Sequence, residues 1–216
     1  MLTLSSLTLA AGLAAIFAAA APSIHQEPLP PVPPPLPSGT LAPGAFTPLE
    51  REVLQEINLA RVDPAAYAQI VAHTAEAYRP EDVREAVDFL ERQPPLPPLA
   101  PDARLTDVAR DLVAFQEATG AVGHGVKDET FAARLRQEQV FAGITGEIVS
   151  YGEPTARRVV VQFLIDPDTP GRGHRGNIFD RLYDHAGVAC GAHHSLGEVC
   201  AVDLAGMMMR PGTEAP

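Results

Sequence analysis

The chain has 216 residues, with 16 Lys and Arg against 27 Asp and Glu, a formal charge of −11, and 46% apolar residues. That balance excludes a polytopic membrane protein and a wholly disordered chain. It also excludes a nucleic-acid binder, because there is no basic excess to displace counterions from phosphate. The length suits one domain of about 150–200 residues with a sizeable core.

Residues 1–21 carry no charged side chain and end in small residues, Ala18-Ala-Ala-Ala21, before Pro22. This pattern reads as a secretory signal peptide cleaved near Ala21, or as an N-terminal anchor if retained. Membrane contact is expected only through this segment. Between Pro22 and Pro48 there are ten prolines. Proline fixes φ and removes the N–H donor, so residues 22–46 read as an extended polyproline spacer.

The folded domain is expected over residues 47–208, with 209–216 as a flexible tail. Thr47-Pro48-Leu49-Glu50 has the form of a capping box with Pro at the first helical position. Leu49, Val53, Ile57 and Ala60 then recur at helical spacing. Short helices are expected from Asp63-Pro64 to Ala72 and from Pro80 past Leu90. Leu105, Val108, Leu112 and Phe115 stripe a longer helix ending at Gly120. Lys127 to Gln137 reads as helical with Asp128 as its cap, and Thr155 to Ile165 as another helix. Residues 140–152, 186–190 and 199–205 are the strand candidates, with a turn at His193 to Gly197. Helices followed by strands imply an α+β fold, with helices packed on a small antiparallel sheet.

Cys190 and Cys200 fall opposite each other if that turn is centred near residue 195. Cross-strand neighbours lie about 5 Å apart, within reach of a disulfide. In a cytosolic protein the same pair would be two buried thiols; with an export segment a disulfide is expected. Their spacing does not suit a zinc site.

His124, Glu147 and His174 each follow a glycine at the edge of a periodic element. Loops so placed aim polar side chains into sites. Two imidazoles could hold Zn²⁺ or another divalent cation, with Glu147 as the candidate base, although spacing alone also fits scattered, solvated histidines. Asp166 and Asp168 flank Pro167 and read first as turn formers. Arg157, Arg158, His193 and His194 read as solvated, with His193 a candidate for the rim of a cleft; Arg175 reads first as structurally paired and otherwise as lining that cleft. Met207-Met-Met209 reads as core packing, and Asn58 and Arg61 as structural.

The order of these motifs resembles the CAP superfamily, also called SCP domains, over residues 47–208. The matching pieces are Ile57-Asn58-Leu-Ala-Arg61, Pro98-Leu99 with Leu105 and Ala109, His124, Gly146-Glu147, the Val159–Leu164 helix, Gly173-His174-Arg175-Gly-Asn177-Ile178, and Gly187-Val188 before the closing strand. The resemblance implies a three-layer α-β-α sandwich with a cleft on one side. It also implies that His124, Glu147, Asp166 and His174 occupy the family's two-His, two-acid positions and converge in that cleft. The chain departs from the family pattern in four places, one being the longer run Asp166 to His174 where many bacterial members have a short Ser-Pro-Gly-His. Asp166 stands for the second Glu, Phe163 for a Trp and Ile148 for the Asn after the first Glu.

No Ser or Cys nucleophile is paired with a His in the sequence; Ser150 is the only nearby hydroxyl considered. The reading leans away from an enzyme, toward a secreted, periplasmic or envelope binding module. Its partner would be a small ligand, a lipid or an extracellular protein, and no cofactor is required. The alternatives are a metal-assisted hydrolase using Glu147 with His124 and His174, and a tethered structural envelope protein.

Overall fold

The computed structural model describes residues 46–126, 130–167 and 169–209. The export segment 1–21, residues 22–45 of the spacer, the cap candidate Asp128, Asp168 and residues 210–216 of the tail lie outside the described residues.

Helix α1 spans Pro48–Val62, α2 Pro64–Thr74 and α3 Pro80–Arg92; α4 spans Ala103–Thr119, α5 Phe131–Gln137, α6 Ala156–Ile165 and α7 Gly173–Ile178. Strands β1 (Ala100–Pro101), β2 (Ala142–Tyr151), β3 (His185–His193) and β4 (Gly197–Met208) form one sheet in the order β1-β3-β4-β2. Three strands are antiparallel, as expected. The two-residue β1 adds a parallel pair beside β3, which makes the sheet mixed.

The capping box forms. The Thr47 hydroxyl accepts from the Glu50 N–H, and the Glu50 carboxylate accepts from the Thr47 N–H. Glu50 also accepts from the backbone N–H of Cys190, tying the start of α1 to β3. Helix α4 ends on Gly120, whose φ of 69° is the left-handed conformation that glycine adopts without steric cost. Helix α5 is shorter than the sequence suggests: its cap is Thr130, whose side chain accepts from the Ala133 N–H.

The sheet separates two helical layers. Ile148, Val188, Val202 and Leu204 point into the larger core, shared with α1, α2, α3, α6 and α7. Val149, Ala189, Val199 and Ala201 point the other way, onto α4. The alternation follows from the two-residue repeat of a strand. At Gly187 a Cβ would lie 2.1 Å from the backbone of Leu105 and Thr106, so α4 rests its main chain on β3 where there is no side chain.

Cys190 and Cys200 are register partners on β3 and β4 and are joined as a disulfide, with Cα atoms 4.2 Å apart. Closing so short a loop stabilises by about 2.5–3 kcal/mol on the chain-entropy account. Asn58 and Arg61 are structural. Asn58 pairs with both backbone groups of Leu99, and Arg61 donates to the carbonyls of Pro97, Ile178, Asp180 and Tyr183. Burial lowers the Arg61 pKa to about 10. The methionine run differs from expectation. Met207 and Met209 are 60% and 59% exposed, because β4 runs on past the core and Met207 turns out at a φ of 56°.

Candidate functional site

The four site residues assemble as two pairs, each a histidine on a buried carboxylate. Nδ1 of His124 lies 3.0 Å from Oε1 of Glu147, and Nδ1 of His174 lies 2.9 Å from Oδ1 of Asp166. Among the described residues no hydrogen bond or ion pair joins one pair to the other. Glu147 lies on the edge strand β2, and α7, which carries His174, meets the neighbouring residue Gly146 through Asn177. Glu147 points toward α5. A Cβ on Gly146 would instead lie 3.0 Å from Oδ1 of Asn177, on the helix that carries His174.

The first pair is built on a strapped loop. Between α4 and α5 the chain is held by four contacts. Gln116 donates to the Gly123 carbonyl, the Gly123 N–H donates to the Tyr151 hydroxyl, His193 Nε2 pairs with the Ala121 carbonyl, and Arg134 reaches the His124 carbonyl. Arg134 also places a guanidinium nitrogen 2.5 Å from Oε2 of Glu147, with both side chains only 2% exposed. Both Glu147 oxygens are therefore occupied, one by His124 and one by Arg134. The His124 ring is 53% exposed.

The second pair is built on a helix junction. Helix α6 ends at Asp166, which takes φ 50°, a conformation that Asp tolerates better than most residues. The turn lets Oδ2 accept the backbone N–H groups of His174 and Arg175 at the start of α7. Burial raises the Asp166 pKa, but bonds from His174 and Thr169 outweigh it, so the carboxyl lies below its ordinary value. The ring of His174 packs edge-on against Phe163, the residue standing where the family pattern has Trp.

The two rim candidates, His193 and Arg175, are both buried. His193 is buried, not solvated, because its Nε2 strap on Ala121 and its edge contact with Tyr151 draw the ring under the loop. Arg175 is buried too. It donates to the Leu164 carbonyl and to Glu85, and stacks 4.3 Å over the Phe89 ring, so it locks α7 to α3 and α6. Arg157 and Arg158 pair with Glu56 and Glu153. Ser150 is buried, with its hydroxyl donated to Gln162.

Zinc or another divalent cation on His124 and His174 would need converging donors. Among the described residues no group of three or more His, Cys, Asp or Glu side chains is placed to hold a metal ion. Nδ1 of each histidine faces a carboxylate, which orients the ring and leaves Nε2 as its available donor. The Arg134 guanidinium lies against Glu147, where its charge opposes a second cation. As placed, the described residues supply no three-donor set for a resident metal.

Two residues beside the site were missed in the sequence: Arg134, and Asp203, which stands opposite Glu147 across β2 and β4. Asp203 carried a signal: it is the one charged residue inside the apolar run Val199 to Ala205. Arg134, one of two arginines on a short helix, carried none.

The family model of the cysteine-rich secretory protein family, CAP, matches residues 54–202. The chain belongs to the CAP family. Three solved structures are similar to it. An extracellular protein containing a SCP domain from Bacillus anthracis is 17% identical, with a TM-score of 0.47, over 78% of this chain and 45% of that one. An outer surface protein from Borrelia burgdorferi is 18% identical, with a TM-score of 0.44, over 59% of this chain and 87% of that one. A cysteine-rich secretory protein from Staphylococcus aureus is 14% identical, with a TM-score of 0.42, over 58% of this chain and 38% of that one. This CAP chain thus spans less than half the length of the Bacillus protein. No curated protein matches it. No helix among its described residues is long and apolar enough to cross a membrane.

Proposed function

We propose that this CAP protein is an exported, non-catalytic binding module. Its binding surface is the edge of β2 at Gly146 and Glu147, flanked by His124 and His174, and its ligand is a small molecule or lipid. The observation that carries this reading is the state of Glu147. A general base must come within hydrogen-bond reach of a substrate proton. Glu147 is buried, with one oxygen on His124 and the other on Arg134. Asp166 is likewise buried and bonded to the start of α7. Only the imidazoles reach solvent: the carboxylates orient rings that are themselves presented outward. The cysteines and Ser150 are also engaged elsewhere. Both cysteines are in the disulfide, and Ser150 serves Gln162.

Export rests on residues 1–21, and a mature chain beginning after Ala21 is the expected product in the medium or periplasm. The −11 charge directs the module toward neutral or cationic partners, because anionic surfaces repel it.

The test compares the wild type with Glu147→Gln in peptidase and esterase assays on casein and p-nitrophenyl acetate, with and without added Zn²⁺. The reading predicts no turnover above background in either protein. Turnover in the wild type that Glu147→Gln abolishes would establish the hydrolase instead. Binding is followed by the imidazole NMR signals of His124 and His174 as dispersed neutral lipid is added. Both should shift; signals that stay fixed would count against a lipid.

A further inference from the structure

Glu147 has a third neighbour. In the register of β2 and β4 it stands opposite Asp203, and Asp203 opposes Gly187 on β3, which offers no side chain. Asp203 falls in the series of β4 residues that face α4 and α5, with Val199, Ala201 and Ala205. It is fully buried, and neither carboxyl oxygen meets a donor from another group.

Among the described residues the charged groups around it are few. Strand β2 supplies Glu147, and α5 supplies Arg134. The buried residues of α4, from Leu105 to Gln116, are all uncharged. His124 comes from the loop and pairs with Glu147. Two ionised carboxylates set against one guanidinium, out of reach of water, would leave a buried charge uncompensated. One proton shared between the carboxyls removes the excess. It also gives Asp203 the hydrogen bond it lacks.

We propose that Asp203 is held as a neutral carboxylic acid whose O–H donates to Glu147, so that the pair carries one negative charge, on Glu147, facing Arg134 and His124. Asp203 is then a positioning residue that acts on His124 through Glu147. Burial first, then the Glu147 charge and the bond to Glu147, push its carboxyl well above the ordinary range, and Arg134 opposes this only in part.

The proton makes the contact between β2 and β4 sensitive to pH. When Asp203 ionises, like charges face each other directly across paired strands, which is destabilising. The sign follows from linkage. Above the unfolded carboxyl value of about 3.9, the unfolded chain has released a proton that the folded chain keeps. The unfolding constant therefore rises about tenfold per pH unit until folded Asp203 titrates. Stability falls with rising pH over that window. An asparagine at 203 donates an amide N–H to Glu147 at every pH and removes the slope.

The proposal concerns a buried pair and does not depend on whether the surface binds a ligand. Its test uses the full chain with ¹³C-labelled aspartate, in two measurements. The infrared spectrum at neutral pH should show a protonated-carboxyl C=O band that shifts with the aspartate label and is missing in Asp203→Asn. Denaturant unfolding from about pH 5 to 8 should show the tenfold-per-unit loss in the wild type relative to Asp203→Asn. No protonated carboxyl band, a band insensitive to the aspartate label, or parallel pH profiles would overturn the proposal. If Asp203→Asn does not fold, the labelled wild-type spectrum decides alone.

Discussion

The two His–carboxylate pairs use the same chemistry and are held by different physics. Glu147 is fixed by charge: a buried guanidinium on one oxygen and an imidazole on the other, in a part of the sheet where α5 excludes water. Asp166 is fixed by backbone: its left-handed turn ends α6 and its carboxylate receives the first N–H groups of α7. The difference predicts that charge-removing changes act mainly on the first pair, and changes to turn geometry or capping mainly on the second.

The largest expected effect comes from Arg134→Met. It leaves Glu147 buried without its counter-ion, and breaking such a pair costs about 3–5 kcal/mol. Urea unfolding of the variant should show that loss; a change below about 1 kcal/mol would mean that water or another group compensates Glu147. Next is Asp166→Ala, which removes a charged acceptor from two N–H groups and from His174. Bonds to charged groups contribute about 1.5–3 kcal/mol, and the same unfolding experiment measures the loss. Asp166→Asn keeps a side-chain oxygen and the turn preference, so it should lose less than the alanine. If the asparagine is as damaging as the alanine, charge rather than capping holds this pair too.

The pairs also separate by pH. The Asp166 carboxyl is depressed in the folded state. Its contribution is therefore complete above the unfolded value of about 3.9 and is lost as pH falls through the folded one. The acid loss of stability below about pH 4 should be steeper in wild type than in Asp166→Asn, which lacks that titration. The Asp203–Glu147 pair acts in the opposite direction, above pH 4. Weakest of all are the histidines. His124 is more than half exposed, so His124→Ala should cost no more than about 1 kcal/mol after screening. His174, packed on Phe163, should cost somewhat more.

Much of this was legible in the sequence, and the illegible part has a physical cause. The capping box at Thr47, the helix stop at Gly120 and the Cys190–Cys200 pairing follow from local rules: a cap, a left-handed glycine and a hairpin register. Site positions came from motif order, since 23 residues separate His124 from Glu147. How those positions pair depends on which sheet face each element covers, and no local pattern encodes that. His193 read as a solvated turn residue because its partner, Ala121, is remote in sequence. Met207 read as core because apolarity does not reveal that a strand outruns its core. Arg134 matters only because the turn of α5 brings it to a carboxylate 13 residues away.

The most direct measurement is a double-mutant cycle on folding stability with His124→Ala, His174→Ala and both together. Two independently held pairs predict that the single effects add to within about 0.5 kcal/mol. A coupling of 1 kcal/mol or more would place the two histidines in one interacting cluster and contradict the account.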